Sequence, residues 1–352
     1  MNISQKEFYR QFSQHGVGAA KVIISPKEVA LMLFIAYYDI HKSFPSDDYP
    51  EISRLSSKGF YKITFAEVNQ LSNMTENECF ELLEKGGVTN INGVIFLYLK
   101  NLCDLYRRRY KYDLILQDQP FPNSDQVAPR SLLEYGKCDD SLLSTWLQWR
   151  KWIFDIDNRS GQETGYVFEP ILASCLGGIS VSHSNSPVKR INDRGKFTKE
   201  GRQIDCYIEE AKEVYELKMR VTIAASGQGR FKEEMSFPYE AKRSGMTPIL
   251  VVLDETESTL LTKLKRVFEK NGGKSYVGQS AWNMLYEKAG EEMSLFIKKY
   301  IYPPVQAMGE FIDSNPQSIR IENNGDNIVI CNEKHTYCIS RKKELLVDEQ
   351  DE

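Results

Sequence analysis

The segment Val214-Tyr215-Glu216-Leu217-Lys218-Met219-Arg220-Val221 constrains the fold of this chain more than any other. Read as a strand, it turns successive side chains to opposite faces. Tyr215, Leu217, Met219 and Val221 then form an apolar face, while Glu216, Lys218 and Arg220 stand side by side on the other. A carboxylate and an ammonium two residues apart on one strand face suit a metal ion held beside an activated water. Asp205 lies shortly upstream in a second apolar segment, Gln203 to Ile208. Downstream, Pro248-Ile249-Leu250-Val251-Val252-Leu253 is almost wholly apolar, as expected of a central strand covered on both faces.

The residues before these strands read as helical. Ser25-Pro26-Lys27-Glu28 is a capping box with proline at the first helical position, leading into an apolar run to Tyr38. Thr64-Phe65-Ala66-Glu67 and Thr75-Glu76-Asn77-Glu78 are two more capping boxes, separated by the break Ser72-Asn73-Met74. This pair has the outline of a helix-turn-helix, but Glu76, Glu78, Glu81 and Glu84 make a poor surface to press against phosphates, and an ordinary helical hairpin is favoured. Gly93 to Tyr106 reads as another helix. The proline-rich stretch from Pro120 to Pro129 marks a linker. Ser141 to Phe154 is a helix with Trp146, Trp149 and Trp152 at three-residue spacing, a pattern read as core packing. Val167 to Leu176 is a helix whose Pro170 must lie in its first turn, and Gly177-Gly178 ends it. Ile179 to Val181 opens a strand. A helical region broken at Pro238 ends at Gly245, and further helices cover Ser258 to Phe268 and Ala281 to Lys288. A hairpin turns at Asn323-Asn324-Gly325-Asp326. The expected division is a helical region over 1–118, a linker over 119–140, an α/β core over 141–310, and a C-terminal hairpin with an acidic tail over 311–352. The fold class is α/β, a mixed central sheet flanked by helices.

Bulk properties narrow the function. The 352 residues carry a formal net charge of -4, which does not suggest a chain that coats nucleic acid indiscriminately. Local basic patches run from Lys189 to Arg202 and over Arg107-Arg108-Arg109 with Lys111, where phosphates or solvent are the alternative neighbours. No apolar run approaches the roughly 20 residues of a membrane span, and the N-terminus lacks an apolar secretion segment. Seven cysteines at scattered spacing indicate reduced thiols, and a cytoplasmic location is expected. Gly272-Gly273-Lys274-Ser275 lacks the earlier glycine of a phosphate loop and reads as a turn; Cys331, His335 and Cys338 match no common zinc spacing.

Cleaving a phosphodiester needs a nucleophile, charge neutralisation on the phosphate and help for the leaving oxygen, much of which magnesium supplies when held by carboxylates. Asp205 and Glu216 are the candidate ligands, Lys218 the group that orients or helps deprotonate the attacking water and steadies the phosphate, and Glu169 an outer-shell or second-metal acid. The arrangement Ile204-Asp205 … Glu216-Leu217-Lys218, after a helix bearing Glu169, resembles the PD-(D/E)xK nuclease superfamily, and within it the type II restriction endonucleases. Gln203-Ile204 stands where the pattern's name puts proline, a position that varies widely in such enzymes. Glu210-Ala211-Lys212 also fits the expression but sits in the turn between the strands, without apolar alternation.

The resemblance implies magnesium-dependent cleavage of double-stranded DNA leaving 5′-phosphates, by a homodimer on a palindrome, with a cognate methyltransferase acting on the same site. Asp205 and Glu216 map onto its metal ligands, Lys218 onto its catalytic lysine and Glu169 onto its accessory helix acid. Arg220 and Thr222 extend the catalytic face, and Ser226, Gln228 and Arg230 offer groups for groove or phosphate contact, phosphate being favoured. Arg202 and Lys196 are expected at the DNA backbone. Two alternatives remain open: a repair, recombination or modification-dependent nuclease of the same fold, and a non-catalytic DNA-binding regulator using the Thr64 to Lys85 hairpin.

Overall fold

The computed structural model describes residues 3–14, 22–41, 44, 48–219, 230–254, 258–312 and 318–342. They form two compact units: those within 1–16, 23–104 and 165–306 make the first, and those within 17–22, 105–164 and 307–352 the second.

The first unit opens with helices α1 (Ile3–Ser13), α2 (Pro26–His41), α3 (Pro50–Ser56), α4 (Phe65–Asn69), α5 (Glu76–Lys85) and the start of α6 (Val94–Asp118). Helix α2 is buried without interruption from Val29 to Ala36, as its apolar run requires. The carboxylates of Glu67 and Glu78 reach back to the backbone N–H groups of Thr64 and Thr75, completing both capping boxes. Helix α5 buries Cys79, Leu82 and Leu83 and turns Glu76, Glu78, Glu81 and Glu84 to solvent, so its outer face repels a phosphate backbone.

After α7 (Ser124–Val127) and α8 (Asp140–Cys175) comes a five-stranded sheet in the order β1-β4-β5-β6-β7, with β1 (Ile179–Val181), β4 (Ile204–Ile208), β5 (Glu213–Lys218), β6 (Thr247–Val252) and β7 (Lys274–Val277). Strands β1, β4 and β5 pair antiparallel, and β5, β6 and β7 pair parallel, giving a mixed sheet. A separate ribbon joins β2 (Lys189–Ile191) to β3 (Phe197–Gly201). Helices α9 (Arg230–Arg243) and α10 (Thr259–Lys270) supply Phe237, Ala241, Leu264 and Phe268 to a core shared with Val214, Leu250 and Val252. Strand β6 is buried from Pro248 to Val252, as an apolar central strand should be. Helices α11 (Gln279–Phe296) and α12 (Tyr302–Ile312) follow.

Two expected breaks do not occur. Helix α8 is continuous through both segments read as separate helices, with Pro170 in its interior rather than in a first turn. The polar stretch between them lacks an effective breaker, and its Glu163 is held at 2.6 Å by both Arg108 and Lys111. Those pairs also draw Arg108 and Lys111 away from the role of a free phosphate-binding patch. Likewise α9 continues through Pro238, whose missing N–H costs one helical bond but leaves the apolar face of Phe237 and Ala241 covered.

In the second unit a three-stranded antiparallel sheet, β8 (Arg320–Asn323), β9 (Asn327–Cys331) and β10 (Thr336–Ser340), extends the expected hairpin by a strand. Its Ile328 and Ile339 pack with Leu116 and Trp152, and Arg341 donates to the Leu116 and Gln119 carbonyls at 2.6 Å. Phe121 stacks on the buried Trp152 and meets the partly buried Trp149 edge-on, so Trp152 is a core residue with Trp149 packed against it, while Trp146 is exposed. Within 119–140, Val127 is buried with Leu143 and Leu147 of α8.

Candidate active site

The antiparallel ladder between β4 and β5 runs Ile208↔Glu213, Tyr207↔Val214, Cys206↔Tyr215 and stops there. Continuing that register sets Asp205 across from Glu216, on the face that Tyr207 and Val214 share. Where the ladder ends, the Leu217 N–H finds a side chain instead: it donates to Asp205 Oδ2 at 2.9 Å. Asp205 is thus tied to the same strand that carries Glu216 and Lys218.

Lys218 is the last residue of β5. Its Nζ lies 2.6 Å from Glu216 Oε1 and 3.0 Å from Glu234 Oε1. Burial disfavours its charged form, but Glu216 and Glu234 outweigh burial and hold the ammonium protonated far above neutral pH. Burial raises the Asp205 carboxyl well above the usual range, and the charges of Glu216 and then Glu169 raise it further; the Leu217 N–H and Lys218 act in the opposite sense. Glu169, on α8, is therefore within electrostatic reach of the strand acids. One turn before it, a side chain on Gly165 would stand 3.4 Å from Glu169 Oε1.

These residues fit a hard divalent cation in their chemistry: oxygen donors on two strands, partly withdrawn from water, whose mutual repulsion a cation would relieve. No group of three His, Cys, Asp or Glu side chains is arranged to hold a metal among the described residues; Asp205 and Glu216 are the carboxylates that the β4–β5 register brings to one face. The Cys331, His335 and Cys338 trio likewise forms no metal group there.

Glu234 is the site residue that sequence reading missed. Its signal was present: an acid at three and seven residues before Phe237 and Ala241 lies on the buried face of α9, where an acid is costly without a partner. Its partner is Lys218, from a strand 16 residues earlier.

The expected DNA contacts divide. Lys196 is exposed in the turn between β2 and β3. Arg202, expected at the DNA backbone, is instead buried: its Nε bonds Glu240 at 2.6 Å and a terminal nitrogen bonds Ser236 Oγ at 2.5 Å, so it braces the ribbon against α9. Arg220, Thr222, Ser226 and Gln228 lie outside the described residues, as does the side chain of Arg230.

The mixed sheet, its flanking helices and the acid facing Glu-x-Lys on adjacent strands define a restriction-endonuclease-like fold. Residues 62–302 match the family described as ApaLI-like restriction endonuclease. The chain is 42% identical over 299 residues to the "Type II restriction enzyme ApaLI" of Acetobacter pasteurianus, covering 83% of this chain and 78% of that one. No solved structure matches it. The chain belongs to the ApaLI-like restriction endonuclease family. Among the described residues no helix is long and apolar enough to cross a membrane.

Proposed function

We propose that this chain is a magnesium-dependent type II restriction endonuclease that cuts both strands of double-stranded DNA at a palindromic sequence and leaves 5′-phosphates. The observation that carries the reading is the meeting of Asp205 with Glu216 and Lys218 on one face of adjacent strands, at the end of their ladder. The family to which the chain belongs supports it.

Asp205 and Glu216 would hold the cation, with Glu169 as an accessory acid. When bound, such a cation neutralises phosphate charge and lowers the pKa of an attacking water. Lys218, whose ammonium lies beside Glu216 and Glu234, is placed to steady the phosphate and orient the water. Glu234 keeps the lysine from swinging wholly onto Glu216. Lys196 is a candidate phosphate contact on the ribbon, and Arg220, Thr222, Ser226, Gln228 and Arg230 remain candidates that follow the catalytic strand in sequence. Two strands and one such cluster per chain call for a homodimer, and a methyltransferase of the same specificity would protect the host site.

Incubating unmethylated plasmid with the protein, with magnesium or with a chelator, and mapping fragment ends tests this directly. Discrete fragments bearing 5′-phosphates, seen only with the metal, are expected. Cutting confined to methylated plasmid, or none at all, would remove the assignment.

A further inference from the structure

We infer that the second unit carries the face through which two copies of this chain associate. This deepens the reading above, in which two copies each cut one strand. The residues Leu142, Trp146, Arg150 and Phe154 follow one another at four-residue steps along α8 and form a single ridge on its surface. The positions flanking it, Leu143 and Leu147, are buried within the unit against Val127. The ridge should therefore be polar if water were its only neighbour. Instead Leu142, Trp146 and Phe154 are 60%, 51% and 59% exposed.

The segment before α8 enlarges the patch. Glu134 is bound to Arg150 at 2.6 Å, and the Arg150 guanidinium lies over the Trp146 ring at 5.7 Å. That bond brings the residues beside Glu134 to the ridge: Leu133 is 83% exposed and Tyr135 72% exposed. Contiguous apolar surface of this extent marks an interaction site on a folded protein. Covered aromatic side chains hide roughly 150–250 Å² each. Trp146, Phe154 and Tyr135, joined by Leu133 and Leu142, then offer on the order of 600–800 Å², close to the roughly 800 Å² that each partner contributes to a stable interface.

A second copy is the occupant whose chemistry fits. The patch holds one acid and one base at its centre, Glu134 and Arg150. Across a twofold axis each residue i meets j while j meets i, so the acid of one copy can face the base of the other. A polyanion such as DNA would meet, at the centre of the ridge, a guanidinium already paired with a carboxylate. An i, i+4 ridge is also the element that packs into the groove of an identical helix.

Light scattering on the full chain at about 10 μM tests the assignment, with Leu133→Glu and Trp146→Glu as patch variants and Ile91→Glu, at a position 57% exposed in the first unit, as the control. All three positions already face water, so far-ultraviolet circular dichroism should not change. We expect wild type and Ile91→Glu at twice the mass of the chain and both patch variants at the mass of one. On supercoiled plasmid the patch variants should accumulate nicked circles where wild type yields linear product. A monomeric wild type, patch variants that stay dimeric, or a control that dissociates equally would overturn the proposal. If wild type cuts no DNA, the nuclease reading fails while the mass measurement still decides the interface.

Discussion

Arg202 and Glu234 show how one charge can mean opposite things. Both are charged residues brought in from solvent, yet Arg202 serves the fold and Glu234 serves the site. The Arg202 guanidinium bonds Glu240 with both side chains nearly inaccessible. Removing one member of such a pair strands the other, at a cost of about 3–5 kcal/mol. Arg202→Met should therefore lower the urea midpoint strongly, and the salt dependence of DNA binding of whatever remains folded should keep the wild-type slope. A slope reduced by about one, with unchanged stability, would return Arg202 to the phosphates. Glu234 acts through Lys218. Replacing groups that position a metal-site residue commonly costs about 10–100-fold. Glu234→Ala should slow single-turnover cleavage by that amount, with Glu234→Gln recovering part of it and DNA retention in chelator unchanged for both. Sequence alone could not separate these residues, because a charge reads alike whether its partner is solvent, phosphate or another side chain.

At the level of elements, Gly177 and Gly178 do different work at the end of α8. Gly177 takes a φ of 72°, the left-handed cap that closes a helix. Gly178 is needed for space: a side-chain carbon there would stand 2.4 Å from Cys206 Sγ and 2.9 Å from the Tyr207 carbonyl oxygen. Strand β1 can then approach β4 beside Asp205. Overpacking of this kind costs roughly 1–3 kcal/mol. Gly178→Ala should lower the melting temperature and, by displacing β4, reduce cleavage more than loss of folded protein explains; an unchanged rate per folded molecule would detach this contact from the site. The strands, the apolar β6 and the capping boxes were legible because alternation, continuous burial and cap chemistry are local. The continuity of α8 through Pro170 was not. Its polar middle is held by Glu163 meeting Arg108 and Lys111 from another helix, a contact that no local rule contains.

For the whole molecule, the central sheet was readable as mixed α/β, but the division of the chain was not readable as a sequence of blocks. The C-terminal strands belong with Leu105–Thr164 because Ile328 and Ile339 pack on Leu116 and Trp152, contacts spanning about two hundred residues. The proposed cleavage nevertheless turns on a small cluster: Asp205, Glu216 and Lys218 must act together on one phosphate. The most direct test compares Asp205→Ala and Lys218→Ala with wild type in single-turnover plasmid cleavage with magnesium, alongside retention of the same DNA on a filter in chelator. Loss of a preorganised charge of this kind costs on the order of 10²–10³ in rate. The prediction is cleavage reduced at least that far in both variants with retention near wild type; full cleavage by both would contradict it.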